Sequence, residues 1–345
     1  MLDKTATLFA PGNFGGAEKM VLEAFLNFKS NLWLIRETRC PQHCNYFIER
    51  CNQLGLNFRV FDSNARLDFG LIKDLEKTIK EDRIDLIQAH GLKANILNAF
   101  LPVKRIATQH GRTSHSFKMR LMEFLENMAI KRANALICVS RELYITETYK
   151  NRFFIENFVL PPNNSPMDTN KHHKRLSVAF FGRLSPEKNV ISLIRAIKKS
   201  PDLDLHIYGD GPLKETVLSH CKHTQNVYYH GFAKDPMLEM QKYNGIVLPS
   251  HREGNPLVII EASLLGIPVI ASRVGGLPEM VKDNGVLFDP QKEGDLEYAL
   301  KQFQLRLNEL TATAQENSSI TRQRYSFKQW EKSTLTVYKK LLQKS

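Results

Sequence analysis

The sequence predicts an α/β protein built as two doubly wound domains facing a cleft, each a parallel sheet with helices on both faces. Three observations predict it. Short apolar runs alternate with longer amphipathic runs along the chain. At 345 residues the chain exceeds one ordinary core and suits two. The alternation stops once, at residues 161–175 (PPNNSPMDTNKHHKR), which are polar, rich in Pro and Asn and aperiodic, and then restarts.

The apolar runs place strands at Ala6–Phe9, Leu32–Arg36, Asn57–Phe61, Leu86–Ala89, Arg105–Thr108 and Ala135–Val139 in the first half. In the second half they fall at Ser177–Phe181, Asp204–Tyr208, Val227–His230, Gly245–Leu248, Pro268–Ala271 and Gly285–Phe288. The domain bounds that follow are 1–160, a linker at 161–175, and 176–325. Residues 326–345 form a closing helix carrying Trp330 and Tyr338, expected to pack back towards the first domain. Sheets of this kind bind ligands at the carboxyl ends of their strands.

Hydrophobic residues make up 42% of the chain, without low-complexity stretches, which excludes a disordered protein. The net charge of +12 is evenly spread: 23 basic against 17 acidic residues over 1–165, and 25 against 19 over 166–345. No basic arm for nucleic acid stands out. The charge fits phosphate-bearing ligands and an anionic membrane surface, or a solvated basic surface with no specific partner. Five Cys, an odd number, point to a reducing cytosol. Cys40, His43, Cys44 and Cys51 match no standard zinc spacing, so no metal site is expected there. The opening MLDKTATLFAPGNFGG has only a short apolar run and no signal-peptide pattern, and no run is long enough to span a bilayer. The expected location is the cytoplasm, peripheral on the inner face of the membrane.

Four segments carry chemistry. Gly12, Gly15 and Gly16 follow a strand and precede a helix starting near Ala17, where backbone can approach a phosphate. Their order is not that of a dinucleotide fingerprint, and a plain strand-to-helix turn is the alternative. Phe181–Lys188 (FGRLSPEK) puts Arg183 and Lys188 in a loop at a strand's carboxyl end, a planar fork and a point charge suited to a diphosphate or simply two solvated cations.

The third segment, His251–Gly266, is the most informative. Asn255 reads as an N-cap, Pro256 as the first helical residue and Gly266 as the helix end. Asn255 to Glu261 is about 9 Å of helical rise, comparable to the span between the two sugars of a nucleoside diphosphate sugar. Glu253 in the loop and Glu261 in the helix can each accept hydroxyl hydrogens from a vicinal diol, with an anion-favouring helix terminus between them. Alternatively Glu261 is a salt-bridged helix residue, although its apolar neighbours imply burial. Fourth, His90-Gly91 and His110-Gly111 each close a strand, as cleft-facing or as structural histidines.

Across roughly 330 residues the order and spacing of these segments resemble retaining GT-B glycosyltransferases of family 4, the glycosyl transferases group 1. The resemblance is carried by Gly15–Glu18, His110-Gly111, Cys138–Ser140, Phe181–Lys188, Tyr208–Pro212, His230–Phe232, Leu248–Glu261 and Pro268–Glu279. It implies two Rossmann-like domains, the first binding acceptor and the second nucleotide-sugar. It implies that Glu261 holds the ribose, Glu253 the donor sugar, and Arg183 and Lys188 the diphosphate. Gly15 and Gly16 would approach the phosphates and transferred sugar, with His110 over the sugar near the acceptor. Asn255, Pro256 and Leu257 would meet phosphates or sugar, and Phe232 would lie near the base.

The activity implied is metal-independent, cofactor-free, retaining transfer of a hexose or N-acetylhexosamine from a nucleoside diphosphate sugar to a glycan or lipid-linked acceptor. Lipopolysaccharide, capsule and similar glycoconjugates are the settings it points to. The alternatives are a nucleotide-sugar epimerase of the same architecture and a non-catalytic nucleotide-sugar-binding paralogue. The sequence departs from the family pattern at Asn189 and Phe158, where glycine is common.

Overall fold

The computed structural model describes residues 2–12, 15–65, 68–110, 117–161 and 175–343. Gly111 and all but the ends of the expected linker lie outside these residues. The chain divides into two units: Met1–Phe158 with Phe327–Ser345, and Val159–Ser326.

In unit 1 the described strands are β1 (Thr5–Phe9), β2 (Asn31–Glu37), β3 (Phe58–Ser63), β4 (Leu86–His90), β5 (Lys104–Gln109), β6 (Ala135–Cys138) and β7 (Arg152–Phe154). They run in the order β3-β2-β1-β4-β5-β6-β7, with every neighbouring pair parallel. β7 is absent from the strands expected of the sequence. It has three residues, all at least partly exposed, on the sheet edge, and so shows no apolar run. The central strands are buried along their whole length because helices cover both faces; all five residues of β1 and of β4 are buried, polar Thr5, Thr7, Gln88 and His90 included. Leu8, Trp33, Ile35, Leu75 and Ile87 form the core on one face.

In unit 2 the strands are β8 (Leu176–Phe181), β9 (Leu203–Tyr208), β10 (Val227–Gly231), β11 (Gly245–Leu248), β12 (Val269–Ser272) and β13 (Gly285–Phe288), in the order β10-β9-β8-β11-β12-β13. All neighbouring pairs are again parallel. Phe180, Ile207, Val247, Ile270 and Phe303 anchor its core. Burying each such side chain contributes about 1.5–3 kcal/mol.

The helix Phe327–Leu342 belongs to unit 1. Trp330, Thr334, Val337, Tyr338 and Leu341 form a buried stripe at helical spacing. The Tyr338 hydroxyl donates to Gln88 Oε1 at 2.7 Å, and Gln88 Nε2 donates to Thr108 Oγ1 at 2.9 Å. Phe158 is fully buried against Phe327 and Trp330, with ring centroids 5.2 and 5.0 Å apart. A glycine there would remove a ring from this aromatic cluster, which accounts for one of the two departures from the family pattern.

The strand order reverses direction between β1 and β4 in unit 1 and between β8 and β11 in unit 2. Loops leaving adjacent strands there go to opposite faces and leave a crevice at the carboxyl edge. The glycine loop follows β1, His90 ends β4, Arg183 and Lys188 follow β8, and Glu253 follows β11. The glycine loop, His90, Arg183, Lys188 and Glu253 therefore gather at the two switch points.

Candidate active site

In unit 2 the loop after β8 passes through a 3-10 turn at Pro186–Lys188 and ends at Asn189, whose φ of 54° and ψ of 30° are left-handed. Glycine adopts this conformation at no steric cost, and Asn is among the few other residues that tolerate it. That explains the second departure from the family pattern.

The loop is held from the side by the next one. Gly182 N donates to Tyr208 O at 3.1 Å and Leu184 N to Asp210 O at 2.9 Å. A Cβ on Gly209 would collide with the carbonyl oxygen of Gly182, and one on Gly211 with that of Leu184. Both glycines also have φ in the positive region, at 142° and 155°. Only glycine lets these two backbones approach so closely.

Lys188 Nζ lies 2.5 Å from Glu253 Oε1, with the Glu253 side chain 8% exposed and that of Lys188 27%. His251 N donates to Glu187 O at 2.8 Å and Gly276 N to Glu253 O at 3.3 Å, joining three loops at this point. Arg183, in the same loop, is exposed and forms no ion pair among the described residues.

The helix after β11 spans Leu257–Leu264, and its N-cap is Pro256, not Asn255 as the sequence pattern suggested. Proline's fixed φ suits the first helical position, but here its ψ of 125° keeps it extended, and the helix starts one residue later. Asn255 is then a buried loop residue. Pro256 supplies no side-chain cap, and Ile259 N donates to Pro256 O at 3.2 Å; a helix N-terminus of this kind favours an anion. Glu261 is 4% exposed between fully buried Ile260 and Ala262. Phe232 stands 52% exposed just beyond edge strand β10. Unit 2 thus gathers Arg183, Lys188, Glu253, Asn255, Pro256, Leu257 and Glu261 on the loops and helix at the β8 and β11 ends, with Phe232 at the sheet's edge.

In unit 1 the helix Gly16–Asn27 starts at N-cap Gly15, one residue earlier than expected. Glu18 folds back under the glycine loop: Gly12 N donates to its Oε1 at 3.0 Å and Gly15 N to its Oε2 at 3.1 Å. The reciprocal spacing of a capping box was the signal available for this role. His110 lies one residue beyond β5, with its Nε2 3.0 Å from His90 Nδ1. The register that pairs His90 with Thr108 brings the two rings together. Burial holds the His90 ring well below the usual histidine range and pushes His110 down to about 4, so both rings are neutral near pH 7. One donates and the other accepts across their shared hydrogen bond.

The Cys40–Cys51 cluster folds into the helix Pro41–Gln53 and its cap. Cys44 and Cys51 are buried, and desolvation pushes their thiols up to about 11 and 12. They are packing residues, and Cys40 is exposed.

Along most of its length the chain resembles known glycosyltransferases. The Glycosyltransferase Family 4 profile matches residues 15–145 and the Glycosyl transferases group 1 profile residues 163–318. The chain is 29% identical over 276 residues, 76% of each protein, to an uncharacterised glycosyltransferase of Methanocaldococcus jannaschii. It is 28% identical over 283 residues to the UDP-Gal:alpha-D-GlcNAc-diphosphoundecaprenol alpha-1,3-galactosyltransferase of Escherichia coli, covering 68% of this chain and 73% of that one. In structure it resembles Anabaena Alr3699/HepE, solved in complex with UDP, with a TM-score of 0.80 at 20% identity over 98% of this chain and 100% of that one. The fold is GT-B, and the protein is a glycosyltransferase. Within that class the chain belongs to the glycosyl transferases group 1.

Proposed function

We propose that the protein moves a hexose or N-acetylhexosamine from a nucleoside diphosphate sugar to a glycan or lipid-linked acceptor, with retention at the anomeric carbon and without a metal. The observation that carries this reading is the part-buried Lys188–Glu253 pair in the loops at the β8 and β11 ends, with buried Glu261 on the helix that follows β11. An ammonium has three donors, so Lys188 can keep Glu253 and still meet a phosphate oxygen. Glu253 then accepts from a donor-sugar hydroxyl, Glu261 from the ribose, and Phe232 offers a face to the base. Exposed Arg183 supplies a second cation to the diphosphate.

In the transfer step the bond from the anomeric carbon to the diphosphate breaks as the bond to the acceptor oxygen forms. The acceptor proton passes to the departing diphosphate on the same face. The protein's part is to stabilise charge on that leaving group, with Lys188, Arg183 and the helix N-terminus in the place a divalent cation takes elsewhere. The test is product analysis after incubation with a panel of nucleotide sugars and acceptor glycosides in excess chelator. We expect nucleoside diphosphate release, undiminished by chelator, and a product with the donor's anomeric configuration. Complete loss on chelation with recovery on adding magnesium removes the metal-independent reading; an inverted product removes retention.

We further propose peripheral binding to an anionic membrane surface on the cytoplasmic side. No helix among the described residues is long and apolar enough to cross a membrane. The helix Phe117–Ile130 has two apolar faces. Met122, Leu125 and Ala129 pack inward near Ile96 and Ala99. Leu121, Phe124 and Met128 are 53%, 59% and 54% exposed on the other face. Phe69 and Phe100, also exposed, stack edge-on nearby at 5.5 Å, and the Arg132 guanidinium lies 5.2 Å over Phe100. Leu101, beside Phe100, is fully buried in the core. Exposed aromatics bordered by Lys131 and Arg132 suit a lipid interface. Each basic residue near such a surface contributes about 1 kcal/mol, less as salt rises. Wild type is expected to co-sediment with anionic vesicles at low salt, and Phe124→Ser with Lys131→Glu to lose most of that binding while staying folded. Absence of wild-type binding at low salt removes the membrane reading.

A further inference from the structure

Unit 1 holds a cavity of about 290 Å³ at the carboxyl edge of β1, β2 and β4. Its wall includes Gly12 of the glycine loop, Glu37 at the end of β2, Cys40, Lys93 and the apolar Leu92 and Met122. Lys93 stands out, because its side chain is only 8% exposed. Its ammonium lies 3.1 Å from Glu37 Oε1 and 2.9 Å from Ala65 O. Two of its three donors are thus engaged, and one remains. Glu37 is 43% exposed, and its Oε2 has no partner among the described residues.

Burying the Lys93 ammonium costs desolvation that one half-exposed carboxylate and one carbonyl offset only in part. An apolar side chain of similar length at 93 would pack as well. The pair therefore needs a second explanation, and the cavity beside it offers one.

We propose that Glu37 and Lys93 form the acceptor-specificity site of the enzyme and that it takes a neutral pyranose. This rests on the transfer reading, in which ribose, diphosphate and donor sugar already have receivers in unit 2, leaving the acceptor for this cavity. The pair is neutral, the Asp68 carboxyl also lies within electrostatic reach of Lys93, and among the described residues one carboxylate oxygen of Glu37 and one ammonium hydrogen remain unpartnered. Adjacent sugar hydroxyls complement that set, each able both to donate and to accept. A phosphate or carboxylate would face Glu37 and be repelled. Leu92 and Met122 offer apolar surface to the C–H face of the ring.

The test uses full-length enzyme with Cys221→Ser, so that Cys40 is the reporter thiol at the cavity rim. The probes are n-octyl glycosides of glucose, galactose and N-acetylglucosamine, with n-octyl glucuronide as the anionic counterpart. At least one neutral glycoside is expected to slow alkylation of Cys40 in the parent enzyme and not in Lys93→Met or Glu37→Gln. Acceptor KM is expected to rise about tenfold or more in both variants, with a smaller change in kcat and partial rescue in Lys93→Arg. Their nucleoside diphosphate affinity, measured by calorimetry, is expected to stay within about twofold of parent. Thermal unfolding midpoints check that each variant folds, and half-exposed Glu37 keeps the test usable if Lys93→Met does not. Unchanged acceptor KM in the folded variants, persistent Cys40 protection in them, or protection by the glucuronide alone overturns the proposal. A parent enzyme that binds no nucleoside diphosphate overturns the transfer reading itself, and this proposal with it.

Discussion

Lys188→Ala is expected to lower kcat for transfer by about 10²–10³-fold, the loss seen when one preorganised group is removed from a developing negative charge. Two effects combine. The leaving diphosphate loses a cation placed against it. Glu253, whose side chain is 8% exposed and whose Oε1 sits 2.5 Å from the ammonium, is left as a nearly buried carboxylate without its counter-charge. The second effect predicts non-additivity: Glu253→Gln added to Lys188→Ala should cost far less than either change predicts alone. Glu261→Ala separates binding from chemistry. Losing one charge-assisted contact to the ribose weakens nucleoside diphosphate affinity by about 10- to 100-fold. Calorimetry on both variants decides the matter. If each folds and binds nucleoside diphosphate like wild type, the diphosphate and ribose roles are wrong.

His110→Ala is expected to lower kcat by about 10²-fold while nucleoside diphosphate affinity stays near wild type. The basis is a neutral ring at the carboxyl end of β5, held by His90 at 3.0 Å. Near-normal turnover in the folded variant would mean that the pair is purely structural. The titration gives a second handle. Burial pushes His110 from 6.5 down to about 4, so turnover should show no acid limb from this group near 6.5. For stability the sign follows from proton uptake. The unfolded chain binds a proton near 6.5 and the folded one only near 4, so stability is full above that window and falls as pH drops through it. Urea midpoints for wild type should therefore decline from neutral pH towards 4, and His110→Ala should flatten part of the decline.

The fold was largely legible because parallel strands buried on both faces appear as apolar runs such as Ser177–Phe181 and Gly245–Leu248. β7 escaped because three partly exposed edge residues carry no such run. Glu253, Glu261, Lys188 and Arg183 were legible because each lies within a few residues of a strand or helix end. The pairings between them were not. Lys188 and Glu253 are 65 positions apart, Lys93 and Glu37 56, and His90 and His110 20. Those separations close only through sheet order and register, which local periodicity does not encode. The N-cap slipped from Asn255 to Pro256 for a local reason, since proline fits both the cap and the first helical position.

The two units do not share the chain evenly, and this bears on the order in which they can form. Unit 2 is one unbroken stretch, Val159–Ser326. Unit 1 needs residues from both ends: Tyr338 bonds Gln88 across 250 positions, and Phe28 packs on Trp330 and Tyr338 at 5.3 and 6.0 Å. During synthesis every strand of the first sheet has emerged long before the helix that covers part of it. Until that last helix arrives, Phe28, Phe158 and the buried faces around Gln88 lack their cover. Growing chains arrested after residue 326 should therefore present a protease-resistant second half and a first half that protease still cuts. Full-length chains should present resistance in both.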